Sequence, residues 1–279
     1  MANGKHQDRC ILDALSYRGR HINPNLAGKA WVGHTPFAYW LITAVKPRVL
    51  VELGTHGGGS YFSFCQSIKD HALPAKAYAV DHWVGEEHAG HYTEAVYEQV
   101  KKTNDESYSD FSTLLRKDFA DALSDFSDGS VDLLHIDGFH SYDAVSSDYH
   151  SWHTKLSDEA VVLLHDTHEV KDGFGVHIFW QELKSKYPQQ CFEFSHSHGL
   201  GIIFPKSISA ANNFRVSCGP DINQTFDLFS AVGDDIYHKA NGRSSQQGNF
   251  EITLEQLQQV LRNIRINHPQ IATELRSLL

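Results

Sequence analysis

Between residues 48 and 204, short apolar runs of strand length alternate with stretches of helical character, and this alternation constrains the fold more than any other feature of the chain. Residues 48–53 (RVLVEL), 77–80 (AYAV), 113–116 (TLLR), 131–136 (VDLLHI) and 160–164 (AVVLL) read as five strands. Helical stretches are expected near 60–69, 92–102, 142–156 and 176–186. Strands separated by helices run parallel in one sheet that is covered on both faces. Two further runs, 192–196 and 200–204, are joined by a short turn at His198 and Gly199. A turn that short requires an antiparallel pair, so the last strand of a seven-stranded, mostly parallel α/β sheet is expected to run against the others.

The flanks differ in character. Residues 1–45 read as an arm with a short helix over 10–17, then an apolar helix over 35–45 that Pro36 suits at its first turn and Pro47 terminates. The sheet domain is expected over 46–206, and 207–279 as a helical C-terminal extension. In that extension 226–240 and 254–278 are amphipathic, with Leu254, Leu257, Val260, Leu261 and Ile264 at helical spacing, joined by a flexible GRSSQQGN linker. These helices are expected to pack on the domain or on a second subunit.

The 279 residues are 41% hydrophobic and 11% aromatic, enough to build a core. The net charge of -10 disfavours nucleic acid as a partner. No apolar stretch is long enough to span a membrane, and the N-terminus lacks a signal-peptide core. Cys10, Cys65, Cys191 and Cys218 are scattered, which suits free thiols in a reducing, cytoplasmic setting. The 19 histidines carry no mechanism by their number alone.

In a parallel sheet, ligands bind beyond the carboxyl ends of the strands. After the first strand the chain reads Glu52-Leu53-Gly54-Thr55-His56-Gly57-Gly58-Gly59-Ser60. The glycines allow a sharp turn and a close backbone approach to a ligand. The spacing departs from G-x-G-x-x-G, and Glu52 would repel a pyrophosphate but attract a cationic amino-acid end such as that of S-adenosylmethionine. The alternative is a tight turn without a ligand. Asp81-His82 follows the second strand, where an acid can accept both ribose hydroxyls. Asp118 follows the third and suits an adenine amino group, with a helix cap as the other reading.

The fourth strand ends in Asp137-Gly138-Phe139-His140, and the fifth in His165-Asp166-Thr167-His168. Adjacent strand ends bring Asp137 and Asp166 to one rim, where two carboxylates repel unless a cation bridges them, and oxygen donors favour Mg²⁺. His140, three residues after Asp137, is a candidate base for a hydroxyl proton. Helix caps for the two aspartates and a packed surface position for His140 are the competing readings.

The segments VELGTHGGGSYFSF, VDHWVGEEHAGHY, LLHIDGFHSYDAV and VVLLHDTHE resemble the class I S-adenosylmethionine-dependent methyltransferases of the bacterial methyltransferase 24 type, over roughly residues 30–205. Those domains are often attached to, or encoded beside, glycosyltransferases that build surface polysaccharides. The D-G-x-H and H-D elements are also similar to macrocin-type sugar O-methyltransferases. The resemblance implies a Rossmann-like seven-stranded methyltransferase sheet, with Asp137 and Asp166 as metal ligands and His140 as the base. His165 stands where macrocin-type enzymes have a carboxylate, and imidazole suits Mn²⁺ or another transition metal better than Mg²⁺.

The resulting expectation is a cytoplasmic O-methyltransferase acting on a sugar or surface-polysaccharide hydroxyl, metal-assisted, with Glu52, Gly54, Thr55, Gly58, Ser60, Asp81, His82 and Asp118 at the cofactor and Asp137, His165 and Asp166 at the metal. A glycan or small-molecule acceptor, a glycosyltransferase partner and self-association through the C-terminal helices go with it. The rival readings are a nicotinamide-dependent oxidoreductase, against which the broken glycine spacing argues, and a degenerate binding module that supports a glycosyltransferase. Trp31, His34 and Phe37 are candidates to cover the acceptor, with core packing as the alternative.

Overall fold

Strands flanked by helices on both faces are apolar at almost every position, and the central strands of the main sheet follow that rule most closely. The computed structural model describes residues 11, 13–17, 19, 29–86 and 90–240. In chain order the sheet strands are β1 (Val49–Leu53), β2 (Lys76–Asp81), β3 (Ser112–Arg116), β4 (Val131–Ile136), β5 (Leu156–His165), β6 (Cys191–Phe194) and β7 (Leu200–Ile203). They lie in the order β3-β2-β1-β4-β5-β7-β6. The first five are parallel, and β7 pairs antiparallel with both β5 and β6. The reversal between β1–β2–β3 on one side and β4–β5 on the other is the switch point at which such sheets bind ligands.

Period-two alternation sorts the core into two layers. Leu50, Leu133, Leu163 and Ile202 face a layer containing Phe37, Trp40, Tyr61, Phe64, Phe214 and Phe229. Their neighbours Val51, Leu134, Val162 and Ile203 face Val145, Tyr149, Trp152, Phe179 and Trp180. The first layer is carried by α1 (Thr35–Val45), α2 (Gly59–Asp70), α3 (Glu94–Ser107), α6 (Ile208–Ser217) and α7 (Ile222–Ala240). The second layer is carried by α4 (Tyr142–Trp152) and α5 (Val176–Lys186). Truncating a ring such as Trp40 to alanine is expected to cost about 3–5 kcal/mol.

Helix α1 has the bounds expected from its sequence, and Thr35 through Ile42 are all buried. It is enclosed because α2 packs on one side and α7 on another. It ends where Lys46 turns left-handed (φ 47°) and donates its backbone N–H to Ile42 O, just before Pro47. Helix α7 also covers the short 3₁₀ turn Val32–His34 that precedes α1. A Cβ placed on Gly233 would lie 2.2 Å from the carbonyl oxygen of Gly33, so only a glycine allows that approach.

Helices α3, α4 and α7 differ from the expected 92–102, 142–156 and 226–240 by a few residues at their ends, and three differences have structural reasons or were not expected at all. Strand β5 begins at Leu156 rather than residue 160, because a register shift against β4 between Val131 and Leu133 absorbs the polar Ser157-Asp158-Glu159. Helix α6 escapes the hydrophobic pattern because Asn212 and Asn213 interrupt it, although Ser207 caps it by accepting from Ala210 N at 3.0 Å. A small ribbon, Gly85–Glu86 with Gly90–His91, precedes α3. The linker and helix expected over 242–278 lie outside the described residues. Among the described residues no helix is long and apolar enough to cross a membrane.

Candidate active site

One cleft of about 590 Å³ opens at the carboxyl ends of β1 to β5. That is within the usual range for a small-molecule site. Two different constructions meet in it.

On the β1–β2 side the parts are mostly backbone. Gly54 has φ 88°, and a Cβ there would lie 2.1 Å from Asp137 O, so the turn can pass the end of β4 only as glycine. Gly58, at φ 81°, is the N-cap of α2. The Asp81 carboxylate is gripped by main-chain amides: Oδ2 accepts from Thr55 N at 2.9 Å and His56 N at 2.8 Å, and Oδ1 from Trp83 N at 2.6 Å. Trp83 Nε1 donates to His56 O at 2.9 Å, and the His56 ring stacks on Tyr92 with centroids 4.4 Å apart. Asp81 thus holds the glycine turn in shape while facing the cleft. Asp118 occupies the N-cap position of the one-turn helix Phe119–Ala122, but its side chain makes no capping bond and lines the cleft. The competing cap reading is therefore not what the geometry holds.

On the β4–β5 side the parts are side chains. His165 Nδ1 lies 3.3 Å from Asp137 Oδ1 and 3.2 Å from Asp166 Oδ2, and its Nε2 faces Ser197 O at 3.0 Å. A carbonyl can only accept, so Nε2 carries hydrogen and Nδ1 is the atom turned to the carboxylates. His140 Nε2 is 3.0 Å from Asp166 Oδ2, and its ring stacks on Phe174 at 4.6 Å. His198 Nδ1 reaches Asp166 Oδ1 at 3.3 Å and Glu169 Oε2 at 2.8 Å. Burial opposes charge on His165, but Asp166 and Asp137 outweigh it and raise the ring well above the ordinary histidine range. Burial likewise pushes Asp137 and Asp166 up, and the neighbouring imidazoles reverse this and hold both carboxyls low.

Gly54, Thr55, Ser60, Asp81, His82, Asp118, Asp137, His140, His165 and Asp166 therefore line one cleft. Gly58 and Glu52 do not reach its lining. Glu52 alternates to the opposite face of β1 from its neighbours and is 0% exposed. Its Oε2 is 2.8 Å from His135 Nδ1, and Trp31 Nε1 donates to His135 Nε2 at 3.3 Å. Burial raises the Glu52 carboxyl, with His135 acting against the rise. Glu52 thus acts beneath the cleft, supporting Trp31, which is on the lining itself. His34 and Phe37 are buried in packing contacts, and neither lines the cleft.

Asp148, Lys171, Phe174 and His198 also line the cleft and were not singled out in the sequence. Asp148 lies on α4, where burial alone lifts its carboxyl to about 6. It stands four residues after Ala144, which also lines the cleft, so helical spacing along the start of α4 could have pointed to it. Nothing local marks His198, which reaches the rim only because β7 runs against β5, pairing Leu200 with His165.

Residues 51–167 match the profile of the Methyltransf_24 family, described as a methyltransferase domain. Over 175 residues, 63% of its length, the chain is 49% identical to the uncharacterized protein y4gI of Sinorhizobium fredii, and it spans 19% of that protein. Among solved structures it is similar to a methyltransferase from Geobacter sulfurreducens, at 14% identity over 63% of this chain and 80% of that one, TM-score 0.48. It is also similar to the S-adenosylhomocysteine-bound methyltransferase PaMTH1 of Podospora anserina, at 14% identity over 61% and 76%, TM-score 0.48. A third is the O-methyltransferase TomG of Streptomyces achromogenes in complex with S-adenosylmethionine, at 12% over 64% and 88%, TM-score 0.47. The matched segment, residues 51–167, is thus similar to a methyltransferase domain, and it carries the glycine turn and the strand ends that line the cleft.

Proposed function

We propose that the chain transfers a methyl group from S-adenosylmethionine to a hydroxyl oxygen, with a sugar or surface-polysaccharide precursor as acceptor. The observation that carries this is the meeting, in one cleft, of a glycine turn with Asp81 and Asp118 on one side and Asp137, His140 and Asp166 on the other. Bound S-adenosylmethionine supplies an electrophilic methyl on a sulfonium, so what the protein must add is alignment and removal of one proton. Asp81, Ser60 and Asp118, with the glycine-turn amides that Asp81 does not occupy, are the groups to hold the cofactor. The open edge of the cleft, with Trp31, Phe139 and Phe174, offers flat apolar faces to a sugar ring.

Asp166 anchors His140 through Nε2, the carboxylate–imidazole arrangement that fixes the orientation of a ring. His140 takes the acceptor's hydroxyl proton as the oxygen–methyl bond forms and the carbon–sulfur bond breaks. Asp137 Oδ1, His165 Nδ1 and Asp166 Oδ2 converge within 4.8 Å of one another and fit a divalent cation. Their mixed nitrogen and oxygen donors suit Mn²⁺ or a similar ion, and such an ion supplies Lewis acidity to an acceptor hydroxyl. The hydrogen bond from His165 Nε2 to Ser197 O orients the ligand in the manner usual for metal-bound histidines.

A second reading has support in the raised pKa of His165: a protonated His165 is itself the cation between Asp137 and Asp166. The free thiols of Cys65, Cys191 and Cys218 support a reducing, cytoplasmic setting. A glycosyltransferase partner and self-association through the extension remain part of the proposal.

Calorimetry with S-adenosylhomocysteine is expected to give micromolar binding, about -8 kcal/mol. Binding of a nicotinamide cofactor instead would overturn the reading. Methyl transfer onto a panel of nucleotide sugars, before and after chelation, separates the two versions: activity lost on chelation and restored by Mn²⁺ supports the metal, and full retention supports the imidazolium.

A further inference from the structure

We propose that Asp166 is the shared carboxylate of a two-cation centre whose second position is formed by Glu169 and His198. This rests on the metal-assisted reading above and extends it. Asp166 divides its oxygens, with Oδ2 turned to His165 Nδ1 and His140 Nε2, and Oδ1 turned to His198 Nδ1. The donor atoms of Asp166, Glu169 and His198 lie within 4.8 Å of one another, as those of Asp137, His165 and Asp166 do. One carboxylate offering different oxygens to two donor sets is the arrangement of a bridged pair, in which ions sit ~3.5–4 Å apart.

The second set is held in place by the backbone. Asp166 takes φ 61°, and Glu169 N donates back to Asp166 O at 3.1 Å, which folds Glu169 over the strand end. The β6–β7 turn runs left-handed through Ser197, His198 and Gly199 (φ 48°, 67° and 90°), and His168 N fastens it by donating to His198 O at 2.8 Å. Lys171 Nζ pairs with Glu169 Oε1 at 3.1 Å, which leaves Oε2 as the oxygen facing His198.

Two features separate this cluster from an ordinary histidine–carboxylate pair. His198 Nδ1 can carry one hydrogen, yet two carboxylates converge on it, at 2.8 and 3.3 Å. A divalent cation in place of that hydrogen would satisfy both carboxylates at once. Against the turn, where a Cβ on Gly199 would come within 2.6 Å of it, the hydroxyl of buried Thr167 meets no hydrogen-bond partner among the described residues. A cation that keeps coordinated water brings a partner to such a hydroxyl.

The nitrogen and carboxylate donors again select a divalent transition ion. His198 and Asp166 line the main cleft, so both cations would face the same acceptor.

The test is titration of the metal-free full-length chain with MnCl₂, followed by electron paramagnetic resonance and by elemental analysis after desalting. The expected result is two equivalents with a spin-coupled signal. Glu169→Gln and His198→Ala are each expected to retain one equivalent with an uncoupled signal, and Asp166→Asn to retain none. S-adenosylhomocysteine binding checks that each variant is folded. One equivalent in the wild type, unaffected by Glu169→Gln and His198→Ala but lost in Asp137→Ala, overturns the second position and leaves the single-metal reading intact. No bound Mn²⁺ in a wild type that still transfers methyl overturns both in favour of the imidazolium.

Discussion

Asp81 and Asp166 stand at the ends of two strands of one sheet and line one cleft, yet they are held by opposite means. Asp81 receives three main-chain N–H groups, from Thr55, His56 and Trp83. Asp166 faces three imidazoles, of His140, His165 and His198. Amides are fixed in place by the fold and cannot change protonation, so the β2 end is a rigid socket. Imidazoles can lose a proton or take a metal, so the β5 end is chemically adjustable. A third carboxylate in the cleft, Asp148, has neither kind of support, and burial alone lifts it to about 6. The same side chain thus serves as a clamp, a reactive anchor or a buried acid according to what its neighbours donate.

The largest test of this contrast is Asp166→Asn, which keeps the shape and removes the charge. It is expected to abolish metal retention and lower turnover by about 10⁴-fold, the scale of several kcal/mol of lost charge stabilisation. Affinity for S-adenosylhomocysteine should scarcely change, and a matching loss of affinity would show that the two halves are not independent. His140→Ala comes next. Single-turnover transfer at saturating cofactor is expected to fall by roughly 10²–10⁴-fold. A folded variant within about threefold of wild type would remove His140 as the base, leaving Lewis activation of the hydroxyl.

The opposite pattern is expected for Asp81→Ala. Cofactor affinity should weaken by about 1.5–3 kcal/mol, the scale of hydrogen bonds to a charged group. Because Asp81 also secures the turn, part of that loss should appear as faster amide exchange at Thr55 and His56. Unchanged affinity would make Asp81 a clamp only.

Asp148→Asn gives the smallest effect and a change of sign. The folded state holds this proton up to about 6, above the ordinary carboxyl value of 3.8, so the folded chain binds more protons between those values than the unfolded chain does. Stability contributed by the protonated acid is therefore present at low pH and lost as pH rises toward 6. The asparagine variant should match wild type near pH 3 and exceed it by about 3 kcal/mol above pH 7. Urea unfolding across that range measures it, and a variant that is less stable at neutral pH would show that the charge on Asp148 has a partner.

The sheet was readable from the sequence because its evidence is repeated: five apolar runs separated by helical stretches allow few other arrangements. The strand-end acids were readable for the same reason, since each follows directly on a strand. What each acid touches was not. Glu52 read as a cofactor group because it precedes the glycine turn, but alternation along β1 sends it to the buried face, toward His135 and Trp31. Asp81 read as a ribose acceptor, with no local sign that three amides would curl back onto it. His198 comes from a hairpin turn that begins at Ser197, 32 residues beyond His165 in the chain, and only the antiparallel insertion of β7 brings that turn to the rim. Long-range partners of this kind leave no periodic trace.

The approach of Gly233 to Gly33 bears on the order in which the molecule assembles. Trp31 forms a wall of the cleft, and the segment that follows it is fastened by bonds that span 163 residues, from His34 to Ser197 and from His196 to Gly33, with α7 closing over them. Bringing together segments so distant is slow, because the closure entropy is lost before the contacts repay it. During refolding the sheet and its glycine turn should form first, from nearer neighbours. Full cofactor affinity should return only in a later phase, when the two glycines meet and Trp31 is seated. The chain would thus pass through an interval in which it has the architecture of its domain but not yet the grip on its ligand.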